Sequence, residues 1–284
     1  MITYLTDSQS LLELGQSSHQ SYAGNAPFPH IAIDDFFDAG VLESVLAETA
    51  VVDRTRTDAQ FLDRKTDHNK FCYKPETVGP DTARLVNFLN SGPFLAYMEK
   101  LTGIPNLLAD PSNFGGGLHW IEKGGFLEVH SDFNHLKKYN LERRINLLLY
   151  LNKDWKNEYN GHLELWHDQT STMARSIAPL FNRCVVFSTT AESLHGHPVP
   201  LATPDGVARK SLALYYYTNT WKPTEKSNET IYYISRNNPV KVKLDPVNLV
   251  RNFILDLIPP IFRKTARMIR RKIKKQKLNK IVND

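Results

Sequence analysis

The stretch GGFLEVHSDF, residues 124–133, ends in an imidazole and a carboxylate one residue apart, His130 and Asp132. On a β-strand, side chains at i and i+2 project to the same face. Placed so, His130 and Asp132 form two legs of a metal site. The competing use is a polar strand end, with Asp132 capping a backbone N–H in the next turn. A second imidazole must come from elsewhere, and ESLHGHPVPL (192–201) offers both His195 and His197. Two histidines and one carboxylate occupy one face of an octahedral ferrous ion and leave the other face open for a chelating co-substrate and oxygen. A dicarboxylic co-substrate needs a cation at its far end. Arg209 opens ARKSLALYYYT, where a strand puts Arg209, Ser211, Ala213 and Tyr215 on one face and Lys210, Leu212 and Leu214 on the other. Turned inward among small residues, the guanidinium suits a carboxylate. Turned outward, Arg209 and Lys210 are solvated residues guarding a sticky strand.

Strands must carry these residues, and the chain supplies them beyond residue 115. GLHWIEKGGFLEVHSD, RINLLLYLN, GHLELWH, RCVVFST and KSLALYYYT are short, rich in β-branched and aromatic residues, and separated by Gly, Asn and Asp. Short strands at this spacing with no long helix between them predict an antiparallel sandwich or jelly roll. Earlier, FPHIAIDDFF (28–37) reads as a strand and AGVLESVLAE (39–48) as a helix with Val41, Leu42, Val45 and Leu46 inward. Residues 52–70 are largely polar and read as a long loop. PDTARLVNFLN (80–90) and PFLAYMEKLTG (93–103) have helical spacing, each with a proline in its first turn, and Gly103 is a natural stop.

The expected fold is mainly β with flanking helices (α+β). A double-stranded β-helix (jelly roll, cupin-like) is braced by N-terminal helices, and a basic helix closes the chain. The expected divisions are a polar, weakly ordered segment 1–27, a domain 28–222 with its jelly-roll core at about 113–221, an irregular extension 223–258, and a basic amphipathic tail 259–284.

Only Cys72 and Cys184 occur among 284 residues, which excludes a disulfide framework and a cysteine-based zinc cluster. They read as buried fillers in a reducing cytoplasm. No basic n-region precedes Asp7, and the most apolar stretch, 248–262, is broken by Arg251, Asp256 and Pro259-Pro260. A secreted or membrane-spanning chain is therefore not expected. The net charge of +5 divides unevenly: residues 263–284 hold ten Lys or Arg against one Asp, a balance of +9, which leaves −4 for the rest. In 259–280, Phe262, Ala266, Ile269 and Ile273 recur at helical spacing among cations. That pattern suits a solvated or partner-docking helix, an anionic membrane surface or, less well, nucleic-acid phosphate.

The ordered series HSD, LLLYLNKDW, GHLELWH, FNRCVVFST, SLHGHPVPL and RKSLALYYYT resembles the catalytic domain of the iron(II)- and 2-oxoglutarate-dependent dioxygenases. It is most similar to their prolyl 4-hydroxylase-like branch. About 110 residues, 113–221, carry the resemblance; PFPHIAIDDFF also resembles the N-terminal strand of such proteins, and the tail lies outside it. The resemblance implies His130 and Asp132 as proximal metal ligands and His195, which opens H-G-x-P, as the distal one. It implies Arg209 as the partner of the 2-oxoglutarate C5 carboxylate and Tyr150 as a hydroxyl reaching the same carboxylate. Trp120 stands where some relatives have a co-substrate tyrosine, a role an indole fills poorly because it accepts no hydrogen bond. The 14-residue step from His195 to Arg209 is longer than in many relatives, and 201–208 is expected to form an extra turn with its tip at Pro204-Asp205-Gly206. A ligand at His197 would shorten the step to 12. His119, His162 and His167 read as structural or surface residues, and His135 as a turn residue.

The implied reaction spends O2 and 2-oxoglutarate, releases succinate and carbon dioxide, and hydroxylates an unactivated C–H, with iron(II) as cofactor and ascorbate as reductant. Peptidyl proline, another peptidyl residue, a sugar or a small molecule are the substrates of relatives. A non-catalytic jelly-roll module recruited by the basic tail is the rival class, and the intact set of His130, Asp132, His195 and Arg209 argues against it. Loop 52–78 and insert 201–208 are expected to flank the metal. Arg54, Arg56, Arg64, Lys65, Lys70 and Lys74 there favour an anionic or highly polar partner.

Overall fold

The structure, a computed structural model, describes residues 1–53, 59–63, 67–113, 115–167, 172–222, 224, 227–234 and 240–241. Asp7 accepts a hydrogen bond from the Ser10 backbone and caps the first helix, α1 (Ser8–Ala23). Strand β1 (His30–Ile33) leads to α2 (Ala39–Ala50), capped by Asp38. Strands β2 (Ala59–Asp63) and β3 (Asp67–Tyr73) pair antiparallel. Pro75 and Pro80 stand in the first turns of α3 (Pro75–Val78) and α4 (Pro80–Leu89), where a missing N–H costs nothing. Helix α5 (Gly92–Thr102) ends at Gly103 in the left-handed conformation.

Strands dominate thereafter: β4 (Leu108–Ala109), the long β5 (Gly117–Ser131), β6 (His135–Leu136) and β7 (Leu141–Tyr150). Next come β8 (Leu163–His167), β9 (Thr172–Ile177), β10 (Cys184–Ser188) and β11 (Leu194–His197). The last are β12 (Arg209–Thr218), β13 (Ile231–Ile234) and β14 (Val240–Lys241). The main order is β1-β10-β7-β12-β5-β11-β8-β9. β5 joins the two halves of this jelly roll. Its residues 117–121 pair with β12, and its far end pairs with β11, His130 opposite His195.

Alternation along the central strands separates two interiors. Ile145, Leu147 and Leu149 of β7, Cys184 and Val186 of β10, and Leu212, Leu214 and Tyr216 of β12 pack under the helices with Leu11, Leu42, Val45, Phe94 and Tyr97. Their neighbours in sequence, Tyr150, Val185 and Phe187, turn to the opposite side and pack with Leu163 and Leu165. The helices thus seal one face of a sheet whose other face is free to line a cavity.

Three expectations change. Residues 1–27 are not a weakly ordered segment: α1 buries Leu11, Gly15 and Tyr22 and packs on α5, with His19 Nδ1 3.0 Å from the Leu101 carbonyl and the Tyr22 hydroxyl 2.7 Å from Ser188 Oγ. Its turns approach α5 through a glycine rather than a broad apolar stripe, so periodicity undersells it. Residues 52–70 are not one long loop: β3 lies along β5 from Leu118 to Leu127, its polar first half held by sheet pairing and its Phe71 and Tyr73 packed into the core. The stretch 223–258 is not wholly irregular, because β13 pairs with β5 beside His130. The basic helix expected near Pro260 lies outside the described residues, as do Arg54, Arg56, Arg64 and Lys65.

Candidate active site

β5 delivers His130 at its end and Asp132 just beyond, and β11 brings His195 directly opposite His130. The ligand atoms of these three residues lie within 4.8 Å of one another. Asp132 Oδ1 is 3.7 Å from His130 Nε2, and Oδ2 is 3.5 Å from His195 Nε2. Each imidazole is oriented from behind: His130 Nδ1 lies 2.8 Å from the Glu128 carbonyl, and His195 Nδ1 lies 3.0 Å from the Ser193 carbonyl. With Nδ1–H donated to a carbonyl, the Nε2 lone pair faces the centre, which is the tautomer a metal requires. Burial pushes the His130 imidazole down to about 3, aided by His195, and lowers His195 as well, so both stay neutral and ready to ligate.

Asp132 has further partners that the sequence reading missed. Asn146 Nδ2 donates to Oδ2 at 2.8 Å, and the Arg143 guanidinium lies 3.0 Å from the same oxygen. Burial opposes the charge, but the Arg143 guanidinium, with the Asn146 hydrogen bond, outweighs it and holds the carboxyl below the usual carboxylate range. Asn146 was legible, since it shares the face of Leu148 and Tyr150 on β7. Arg143 was not, because it has the wrong parity. A register shift of β7 against β12, where Tyr216 faces Ile145 but Tyr217 faces Arg143, turns it to the site. There the guanidinium carbon sits 3.7 Å from the centre of the Tyr215 ring.

The three donors open on a cavity of about 440 Å³ that also contains Arg209, Ser211 and Tyr215 from β12. Arg209 is 4% exposed and fixed at two points: Nε donates to the Gly161 carbonyl at 2.7 Å and Nη2 to the Tyr150 hydroxyl at 3.1 Å. Gly161 has φ 71°, and a Cβ there would meet Leu201 at 2.4 Å and the Arg209 side chain at 3.1 Å, so only glycine lets this carbonyl hold the guanidinium. Burial raises the Tyr150 pKa, which keeps its hydroxyl protonated. The donor set is thus a neutral, preoriented pair of imidazoles with one carboxylate, suited to a ferrous ion, and a buried cation suited to a carboxylate.

Residues 116–237 match the family model described as the 2OG-Fe(II) oxygenase superfamily. They form a 2OG-Fe(II) oxygenase domain. No curated protein matches the chain. Among solved structures, a prolyl hydroxylase from Trichoplax adhaerens, in complex with a hypoxia inducible factor oxygen degradation domain peptide fragment, is similar at TM-score 0.55 and 15% identity, over 75% of this chain and 94% of that one. A prolyl-4-hydroxylase from Pseudomonas putida is similar at TM-score 0.50 and 16% identity, over 72% and 99%. A prolyl 4-hydroxylase from Phytophthora capsici reaches TM-score 0.50 and 19% identity, over 77% and 67%. The oxygenase domain takes iron(II) and 2-oxoglutarate, with O2 as the oxidant.

The remaining candidates of the oxygenase domain sort by geometry. His197 does not join the metal-binding group, although it lines the same cavity. Lys210 points to the opposite face, with Nζ 3.2 Å from Thr49 and over the Trp120 ring at 4.5 Å. Trp120 therefore faces away from the cavity, and its neighbour His119 lines it instead, with Nε2 2.8 Å from the Gly115 carbonyl. His162 sits 3.1 Å from Ser176, His167 is exposed, and His135 stacks on Trp221 at 4.0 Å. Lys70 and Lys74 line the cavity, whereas no residue of 201–208 does. That insert turns at Pro204–Val207 and pins β5 instead, through Leu201 to Gly124 and Gly125. Tyr232, missed in the sequence, comes from β13 to 5.3 Å from the His130 ring.

Proposed function

We propose that the chain hydroxylates an unactivated C–H of a peptidyl residue, proline foremost, while converting 2-oxoglutarate and O2 to succinate and carbon dioxide. The observation that supports this is the meeting of His130, Asp132, His195 and the tyrosine-backed Arg209 in one cavity. The first three hold iron(II), which when bound supplies the redox centre where co-substrate and oxygen react. Arg209 and Tyr150 bind the far carboxylate of 2-oxoglutarate. Arg143 and Asn146 fix the Asp132 carboxylate so that Oδ1 stays free of their hydrogen bonds. Leu127, Leu148, Leu163 and Phe187 exclude water from the reacting face. Ascorbate serves as the reductant that keeps the iron ferrous.

A peptidyl substrate is favoured by a fold shared with prolyl hydroxylases, one of them solved with a peptide fragment. The reaction class is tested first by anaerobic titration of the metal-free protein with Fe(II) and 2-oxoglutarate. The weak visible charge-transfer band of the chelate is expected for the wild type and not for His130→Ala. Succinate release driven by proline-containing peptides, absent in Asp132→Ala, then tests the substrate. Release driven only by sugars or other small molecules would sink the peptidyl reading and keep the oxygenase. The basic segment 259–280, outside the described residues, is proposed to dock on an anionic surface. Co-sedimentation with phosphatidylserine vesicles, lost when 259–284 is removed, is the check.

A further inference from the structure

His197 is 3% exposed, and neither Nδ1 nor Nε2 has a hydrogen-bond partner. The other imidazoles of the cavity each have one: His119 on the Gly115 carbonyl, His130 on Glu128 and His195 on Ser193. A neutral imidazole carries one donor and one acceptor, and leaving both unmade in the interior is costly. Such a group calls for an occupant of the space it faces. His197 follows His195 by two residues on β11 and lines the same cavity. It is excluded from the metal group, and a register shift between His195 and His197 sets it opposite Leu127. It also borders a small side cavity of about 110 Å³ together with Gly161, the residue whose carbonyl anchors Arg209.

The guanidinium of Arg209 cannot satisfy a carboxylate alone. It has already given one N–H to Gly161 and one to Tyr150, while a carboxylate offers about four acceptor positions. We infer that His197 donates a hydrogen bond to the far carboxylate of 2-oxoglutarate, beside Arg209 and Tyr150, and so selects a dicarboxylic 2-oxo acid. The inference rests on the co-substrate reading given above. It gives the buried imidazole its missing acceptor, and the apolar neighbours Ile121, Leu127 and Leu163 offer none from their side chains.

Calorimetric titration of the full chain loaded with Mn(II) tests it, using 2-oxoglutarate and, in parallel, pyruvate, a 2-oxo acid with no far carboxylate. The proteins compared are wild type, His197→Leu and His197→Gln, the last retaining a donor. For His197→Leu, 2-oxoglutarate affinity is expected to fall roughly 10- to 100-fold, the worth of one hydrogen bond to a charged group, while His197→Gln stays within about threefold of wild type. Pyruvate and Mn(II) affinities and the melting curve should hold in both. Equal loss of both 2-oxo acids in His197→Leu would overturn the inference, since it would mark damage to the metal centre. A wild type that binds 2-oxoglutarate beside an indifferent His197→Leu overturns only the role of His197. A wild type that binds none overturns the co-substrate reading together with it.

Discussion

At Asp132 the charge of a buried carboxylate is met before any metal arrives. Arg143 supplies the countercharge and is itself 3% exposed, held by Asn146 Oδ1 and by the faces of Phe133 and Tyr215. Removing one member of such a pair strands the other. Arg143→Met is therefore expected to destabilise the metal-free protein by about 3 kcal/mol. Mn(II) should recover much of that loss, because the ion replaces the missing positive charge; urea unfolding with and without the metal measures both. An equal loss in the two conditions would deny Arg143 its electrostatic role. Arg209 makes a second test at this scale. Arg209→Ala should raise the 2-oxoglutarate requirement at least about tenfold, as the loss of a charge-assisted pair does. Lys210→Ala should leave it near wild type, since Lys210 points to Thr49 and Trp120 on the other face. Parallel co-substrate titrations of the two variants separate these roles.

Among the elements, β5 does most to make the site. Fifteen residues long, it pairs with β12 at one end and with β11 at the other, so one strand carries His119, His130 and the approach to Asp132 across the whole cavity. Helix α1 does the converse work of bracing the far face. It meets α5 at Gly15, where an added Cβ would stand 2.7 Å from the Tyr97 carbonyl and 3.0 Å from Lys100 Cβ. Gly15→Leu is expected to cost roughly 1–3 kcal/mol through overpacking, while leaving Mn(II) affinity at moderate urea unchanged. Chemical unfolding followed by metal titration checks it; an unchanged midpoint would return α1 to the loosely held segment that its polar sequence suggests. The existence of α4, α5 and the central strands was legible from periodicity and from the Pro and Gly at their ends. β3 was not, since the first half of DHNKFCY is polar and only Phe71 and Tyr73 at its end turn to the core.

For the molecule as a whole, pH couples to folding through the buried imidazoles. Burial lowers His30, His119 (to about 3), His195 and His197 below their ordinary value. The unfolded chain therefore binds more protons than the folded one once pH drops below about 6.5. Stability is full above that point and falls as pH goes down through the range in which the unfolded imidazoles protonate. Depressed carboxyls such as Asp132 and Asp34 act in the same direction only further down, below their unfolded range near 4. Urea midpoints of the metal-free protein should drop from pH 7.5 to pH 5, and a flat profile would contradict the burial of these rings. Among the described residues no helix is long and apolar enough to cross a membrane.

The sequence by itself determined residue types, their order and their parity. HSD, the H-G-H after a strand, and the inward face of RKSLALYYYT are local patterns, and strand alternation fixes which side chains travel together. Those patterns offered His130, Asp132 and Arg209 with His195 and His197 as rivals, and the resemblance to the dioxygenases implied Tyr150 and His195. The pairing of β11 with β5 sets His195 and not His197 opposite His130. The strand shift that turns Arg143 inward, the arrival of Tyr232 on β13 and the glycine approach of α1 to α5 were likewise decided in three dimensions. Each depends on where a distant segment lands, and local propensity carries no record of that.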